Sequence, residues 1–275
     1  MKPASSPESA QRYLDLMKRA LTRTGFPDFV ELRSRSWKRW IIGPVQAALR
    51  SRGYSLVERH PYGIDSLLAN PASPRETILP IHRLDTIQEC IETILVDDVP
   101  GDLLEVGAWR GGGSIFLRAV LAAYGVSDRR VWVADSFAGF PEDGDREPAD
   151  RGIDFSGGLG GEFFTVDVGK VRANFARYGL LDEQVEFLEG WFHETLPAAP
   201  VETISFLMLD GDMYGSTSDA LKSLYPKVPV GGFVVVDDYG WHDNCRRAVD
   251  EFRAAAEIHE PIVPVDNQMV LWRRG

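Results

Sequence analysis

The chain has little that could bind a soft metal or brace a fold covalently. Of its 275 residues two are cysteine, Cys90 and Cys245, and five are histidine. The thiols have neither a metal-ligand spacing nor a disulfide framework, so they read as small buried hydrophobes, and a reducing, cytoplasmic setting is expected. No apolar run approaches the roughly 18 residues of a membrane span, and the opening Met1-Lys-Pro-Ala-Ser-Ser-Pro-Glu8 lacks the apolar centre of a signal peptide. Positive charge is in deficit. A net charge of -11 argues against nucleic acid or anionic membrane as a partner, and the basic patch Arg33, Arg35, Lys38 and Arg39 reads as a solvated face. What remains is ordinary for a soluble globular protein: 44% hydrophobic and 26% charged residues, enough for one sizeable domain and a smaller segment.

Residues 1–82 carry helical patches at 9–22 and 37–50, separated by Pro and Gly, and read as a helical extension serving acceptor or subunit contacts. Its tryptophans, Trp37 and Trp40, are read as packing residues, which makes a homo-oligomer expected. Residues 83–275 form the main domain. A helix with Leu84, Ile87, Ile91, Ile94 and Leu95 on one stripe leads into apolar runs at 103–106, 131–134, 185–188, 204–209 and 232–236, separated by amphipathic stretches. Strands alternating with helices predict an α/β fold, a mostly parallel sheet covered on both faces. The runs 261–265 and 269–272, joined by Asp266-Asn267, predict a closing β-hairpin. Residues 141–162, between the runs at 131–134 and 185–188, are rich in Gly, Asp and Pro, and read either as a lid over a pocket or as a disordered loop.

Two of the runs end in carboxylates. Leu207-Met-Leu-Asp-Gly-Asp-Met-Tyr214 delivers Asp210 and Asp212, and Phe233-Val-Val-Val236 delivers Asp237 and Asp238. Open α/β sheets bind ligands at the carboxyl ends of their strands, so these acids are expected in one pocket. Oxygen ligands without a His or Cys cluster suit a hard divalent ion such as magnesium. Asp210, Asp237 and Asp238 are the candidate ligands, with Asp212 beside them to take a proton. Successive side chains on a regular strand point to opposite faces, so Asp237 and Asp238 can both face a metal only where the strand has ended. Taken singly, each acid could instead be a helix cap. His242 reads as a surface residue or a proton acceptor.

The run Glu105-Val-Gly-Ala-Trp-Arg-Gly-Gly-Gly-Ser114 follows the first of these strands and opens a helix. Its glycines let the backbone approach a ligand, and the helix start offers free amides, which describes a nucleotide-class pocket or, alternatively, a turn needed only for packing. The spacing is not G-x-G-x-x-G. Asp135-Ser136, after Val131-Trp-Val-Ala134, fits either a ribose acceptor or a helix cap. Trp191 and Phe192, after Glu189-Gly190, fit either a stacking site for a base or the core.

These segments together resemble the macrocin- and mycinamicin-type sugar O-methyltransferases, the group that includes the novobiocin-pathway noviose O-methyltransferase. The segments that carry the resemblance are Asp102-Leu-Leu-Glu-Val-Gly-Ala-Trp-Arg-Gly-Gly112, Val131-Trp-Val-Ala-Asp-Ser-Phe-Ala-Gly-Phe-Pro141, Val171-Arg-Ala-Asn-Phe-Ala-Arg-Tyr-Gly-Leu-Leu181, Leu209-Asp-Gly-Asp-Met-Tyr214 and Val236-Asp-Asp-Tyr-Gly240. The resemblance implies a seven-stranded, Rossmann-like class I methyltransferase that uses S-adenosylmethionine and magnesium. The implied acceptor is a deoxysugar hydroxyl on a glycosylated secondary metabolite, as in antibiotic biosynthesis. It also implies Asp210, Asp237 and Asp238 as metal ligands that orient the hydroxyl, and Asp212 as base. The implied cofactor site is Glu105, Gly107, Trp109, Arg110, Gly111, Ser114, Asp135, Ser136, Gly190, Trp191 and Asp210. One departure is Val106, where many relatives carry threonine, which removes a hydroxyl expected near the cofactor. The rival readings are a catechol-type phenol O-methyltransferase, a nicotinamide-dependent oxidoreductase and a ligand-binding module without turnover.

Overall fold

The computed structural model describes residues 7–24, 28–31, 39–54, 57–60 and 74–275. The chain begins with helix α1 (Pro7–Leu21), followed by strand β1 (Asp28–Glu31), helix α2 (Arg39–Arg50) and strand β2 (Val57–His60). The two strands pair antiparallel with each other, a feature the helical reading of this segment did not contain. Trp37 lies outside the described residues, as does the side chain of Trp40.

After α3 (Ile81–Val96) strands and helices largely alternate. Strand β3 (Asp102–Val106) is followed by α4 (Gly112–Ala123), β4 (Val131–Asp135), α5 (Gly161–Phe164), α6 (Val168–Arg177) and β5 (Val185–Glu189). Next come α7 (Phe192–Thr195), β6 (Ile204–Leu209), α8 (Tyr214–Leu224), β7 (Phe233–Val236), α9 (Asp243–Ala255), β8 (Val263–Pro264) and β9 (Val270–Arg273). Seven strands form one sheet in the order β5-β4-β3-β6-β7-β9-β8. The first five run parallel; β9 lies antiparallel against β7 and forms the expected closing hairpin with β8. Asp266 fixes that hairpin's turn, its Oδ1 accepting from the amides of Gln268 and Met269, both at 2.8 Å.

The strands are apolar on both sides because helices cover both faces. Alternation sorts their side chains into two cores. Leu103, Val131, Val133, Phe206, Met208 and Val235 pack on one face under α1, α3, α4 and α6. Leu104, Val106, Trp132, Leu207, Leu209, Val234 and Val236 pack on the other under α8 and α9. Helix α1 belongs to the first core through Ala10, Leu14, Met17 and Leu21. The expected extension is thus joined to the main domain by a buried apolar stripe. With β3, β4, β6 and β7 parallel, their carboxyl ends meet at one edge of the sheet, and the loops that follow them face one another there.

Candidate active site

The site is built on a close approach between two strand ends. Gly107 follows β3 at φ +89°, and a Cβ there would lie 1.8 Å from the carbonyl oxygen of Asp210, which follows β6. Only glycine permits that contact. The Asp210 amide donates to the Val106 carbonyl, and the Gly107 amide to Ala134, both at 2.8 Å, so the ends of β3, β4 and β6 are held together. Glu105 turns from β3 toward α4, where Ser114 Oγ donates to its Oε2. Gly113 leaves the room: a Cβ there would sit 2.0 Å from Glu105 Oε1. Burial pushes the Glu105 carboxyl up to about 8, against the opposing hydrogen bond from Ser114.

Asp135 holds the glycine turn. Its Oδ2 accepts from the amides of Ala108 at 2.7 Å and Trp109 at 3.2 Å, and its Oδ1 from that of Phe137 at 2.8 Å. Burial raises its carboxyl, opposed by these same amides. Trp109 at φ 46°, Phe137 at φ 53° and Asp212 at φ 58° all occupy the left-handed region, which is costly for side-chain-bearing residues. These three positions follow β3, β4 and β6, so backbone strain concentrates along the site edge.

Strand β7 ends at Val236, and the chain bends through Asp237 and Asp238, which frees both carboxylates to face one side. One oxygen of each of Asp210, Asp237 and Asp238 lies within 4.8 Å of the others. Burial raises the Asp210 carboxyl well above the usual range, reinforced by Asp237, Asp238, Asp212 and Glu105. Burial and then Asp237 push Asp238 up to about 7. Asp212 stands outside the trio, its amide donating to Asp238 Oδ2 at 3.0 Å, and its carboxyl is raised well above the usual range by burial, Asp238 and Asp237. Oxygen donors packed this closely suit a hard divalent cation. The sequence reading missed Arg83, from α3, whose Nη1 donates to both oxygens of Asp237 at 2.8 and 2.9 Å.

These groups open into one cavity of about 1100 Å³. Of the residues expected in the site, Glu105, Gly107, Trp109, Asp135, Ser136, Trp191, Asp210, Asp212, Asp237 and Asp238 line it. Arg110, Gly111, Ser114 and Gly190 stand one layer back. Arg110 lies over the Trp109 ring at 4.2 Å and donates to the Arg75 carbonyl; Gly111 caps α4 at φ 85°. Gly190, at φ +136°, has Thr195 where a Cβ would go. Val106 is buried in the second core, so its difference from threonine alters packing rather than the cavity wall. Glu76, Thr77, Arg83 and Gln268 also line the cavity and carried no sequence signal.

Residues 141–162 form much of the outer wall. They make two single-turn 3-10 helices, Asp143–Asp145 and Pro148–Asp150, before α5. Asp150 anchors them by accepting from the amides of Tyr214 and Gly215, both at 2.9 Å, and from Asn244 at 2.8 Å. Phe164, Phe140, Phe155 and His242 follow one another with ring centroids 5.2, 6.2 and 4.8 Å apart. His242 therefore stacks against the wall, and Trp241, half exposed, lines the cavity beside it.

A seven-stranded sheet with its last pair antiparallel, a glycine turn after β3 and acids after β6 and β7 define a class I methyltransferase. Comparison with known proteins agrees. The macrocin-O-methyltransferase (TylF) family model matches residues 10–274. The chain is 45% identical over 263 residues to the 8-demethyl-8-(2,3-dimethoxy-α-L-rhamnosyl)-tetracenomycin-C 4'-O-methyltransferase of Streptomyces olivaceus, covering 95% of this chain and 92% of that one. It is 48% identical over 199 residues to the demethyldecarbamoylnovobiocin O-methyltransferase of Streptomyces niveus, covering 72% and 75%. To the mycinamicin III 3''-O-methyltransferase of Micromonospora griseorubida it is 47% identical over 200 residues, covering 72% and 78%. The solved structure of the O-methyltransferase NovP superposes with a TM-score of 0.79 at 39% identity, covering 96% of this chain and 99% of that one. The chain belongs to the macrocin-O-methyltransferase (TylF) family and is an O-methyltransferase.

The raised carboxyls set a pH dependence. A carboxyl whose folded pKa exceeds its unfolded value binds more protons in the folded state between the two, so stability falls as pH rises through that interval. For Asp238 and Glu105 the interval runs from the ordinary carboxylate range up to about 7 and about 8. Urea unfolding of chelator-treated protein is expected to show stability falling between pH 5 and 8, by roughly 1 kcal/mol per pH unit for each titrating group. Adding a divalent cation is expected to flatten that slope. A stability that stays level or rises with pH after chelation contradicts this electrostatic picture.

Proposed function

We propose that the chain transfers the methyl group of S-adenosylmethionine to a hydroxyl of a deoxysugar carried on a glycosylated secondary metabolite, in antibiotic biosynthesis, with Mg2+ as its resident cation. The observation that carries this reading is that the carboxylate trio and the glycine turn line one cavity. The relatives' names add support: one specifies a rhamnosyl-bearing tetracenomycin, the others demethyldecarbamoylnovobiocin and mycinamicin III.

In this reading Gly107, Trp109, Asp135, Ser136 and Trp191 contact the methyl donor. Asp210 lies between donor and cation, while Glu105, Arg110, Gly111, Ser114 and Gly190 hold those contacts in place. Asp210, Asp237 and Asp238 hold the cation, which when bound makes a neighbouring acceptor hydroxyl more acidic. Asp212 accepts the hydroxyl proton while the oxygen forms its bond to the methyl carbon and the carbon–sulfur bond breaks. Its raised carboxyl favours that uptake, and its backbone is pinned by the hydrogen bond to Asp238. Much of the rate then comes from holding two reactants in line. The aromatic wall ending at Trp241 supports an apolar aglycone packed outward from the sugar, with residues 141–162 as the lid over it.

We further infer a cytoplasmic homo-oligomer in which residues 1–82 supply subunit or acceptor contacts. Two buried free thiols and the exposed apolar side chains of Leu16, Val45 and Tyr54 support this. Sedimentation of the full chain as a monomer would rule the oligomer out.

The central test is mass-spectrometric detection of a methylated product from S-adenosylmethionine, Mg2+ and a panel of glycosylated natural products. Asp212→Asn is expected to lower kcat by about 100-fold or more while Mg2+ binding stays intact. A variant with near-wild-type kcat removes Asp212 from the role of base, and product formed only on free phenols removes the sugar acceptor.

A further inference from the structure

We propose that Arg83 is the charge-setting and positioning residue of the cation site: it fixes the Asp237 carboxylate and tunes the site for a divalent over a trivalent ion. This rests on the metal reading of the preceding section. Arg83 is buried, 6% exposed, and projects from α3 into the wall of the cavity. Every nitrogen of its guanidinium is used. Nη1 donates to both oxygens of Asp237, Nε to Asp266 Oδ2 at 2.7 Å, and Nη2 to Asp266 Oδ1 at 3.0 Å and Gln268 Oε1 at 2.7 Å. A planar fork held at three sides cannot rotate, so Asp237 has one orientation available.

Charge adds a second consequence. Three ionised carboxylates present three negative charges, and the guanidinium in contact with Asp237 offsets one of them. Asp266 lies on the far side of the guanidinium and is more exposed, with its own charge stabilised by the amides of Gln268 and Met269 and by His82 at 2.8 Å. Its effect at the trio therefore has the opposite sign to that of Arg83 and a smaller size. Without Arg83 the trio carries a full excess charge in a buried place, where such charges are least screened.

Because a positive neighbour repels a trivalent ion more than a divalent one, selectivity reports the charge separately from the geometry. Binding of Tb3+ by sensitised luminescence, with Ca2+ as the size-matched divalent competitor, gives a Tb3+/Ca2+ affinity ratio; Mg2+ displacement is measured alongside. The full chain and its variants Arg83→Gln, Arg83→Lys and Asp266→Asn are compared, with folding checked by circular dichroism. Arg83→Gln is expected to raise the ratio by about tenfold or more. Arg83→Lys, which keeps the charge, is expected to restore the wild-type ratio, and Asp266→Asn to lower it. Should Arg83→Gln not fold, the last two comparisons carry the test. An unchanged ratio, with Arg83→Gln and Arg83→Lys weakening both ions alike, would leave Arg83 a packing residue and overturn the proposal. Wild-type protein that binds none of the three ions would overturn the metal reading itself, and this inference with it, a result distinct from a wild type that binds them with a ratio Arg83 does not affect.

Discussion

The burial of three neighbouring carboxylates, Asp210, Asp237 and Asp238, is the constraint on which the rest of this structure depends. Burial raises all three carboxyls; acidic neighbours add to the rise at Asp210 and Asp238, while at Asp237 Arg83 opposes it. Such a cluster persists only where the fold holds it, and the surrounding features do so. The Gly107–Asp210 contact locks β3 to β6, the chain bends as soon as β7 ends, and Arg83 clasps Asp237 from α3. The local cost is offset by the two apolar cores beneath, which bind the sheet on both faces.

That constraint also bears on the acids around the glycine turn. Glu105 is a further buried acid on the cavity, and its raised carboxyl accepts from Ser114 on α4. Asp135 spends both its oxygens on backbone amides, so its main structural task is to hold the glycine turn in its left-handed conformation at Trp109. A ligand entering between the two acid groups meets a surface whose shape is fixed in advance, which is the condition for positioning two reactants.

Much of the sheet was legible because strand runs of Val, Leu and Ile bounded by Gly and Pro leave few other interpretations. The runs ending in Asp210 and Asp237-Asp238 read as neighbours for the same reason, and β6 and β7 do pair in parallel. Arg83 was not legible. It lies within a helix whose apolar stripe dominates the pattern, and its partners Asp237 and Asp266 are 154 and 183 residues away. The pairing of β1 with β2 escaped for a similar reason, being made across an intervening helix. Ser114 read as part of a ligand-facing loop, yet its hydroxyl is taken up by Glu105, while Gly113 beside it lines the cavity. Periodicity assigns a residue to a face; it does not say which partner the fold brings to that face.

A fold of this kind hosts many different chemistries. What distinguishes chains on such a scaffold is the site, here the carboxylate trio and the wall tethered through Asp150. Whether a cation sits among those three carboxylates therefore decides the proposed chemistry. The most direct measurement is anomalous scattering from crystals grown with Mn2+ and S-adenosylhomocysteine. A single strong peak bounded by Asp210, Asp237 and Asp238 is the predicted result. An empty trio at saturating Mn2+, in crystals of protein that still methylates its acceptor, would contradict it.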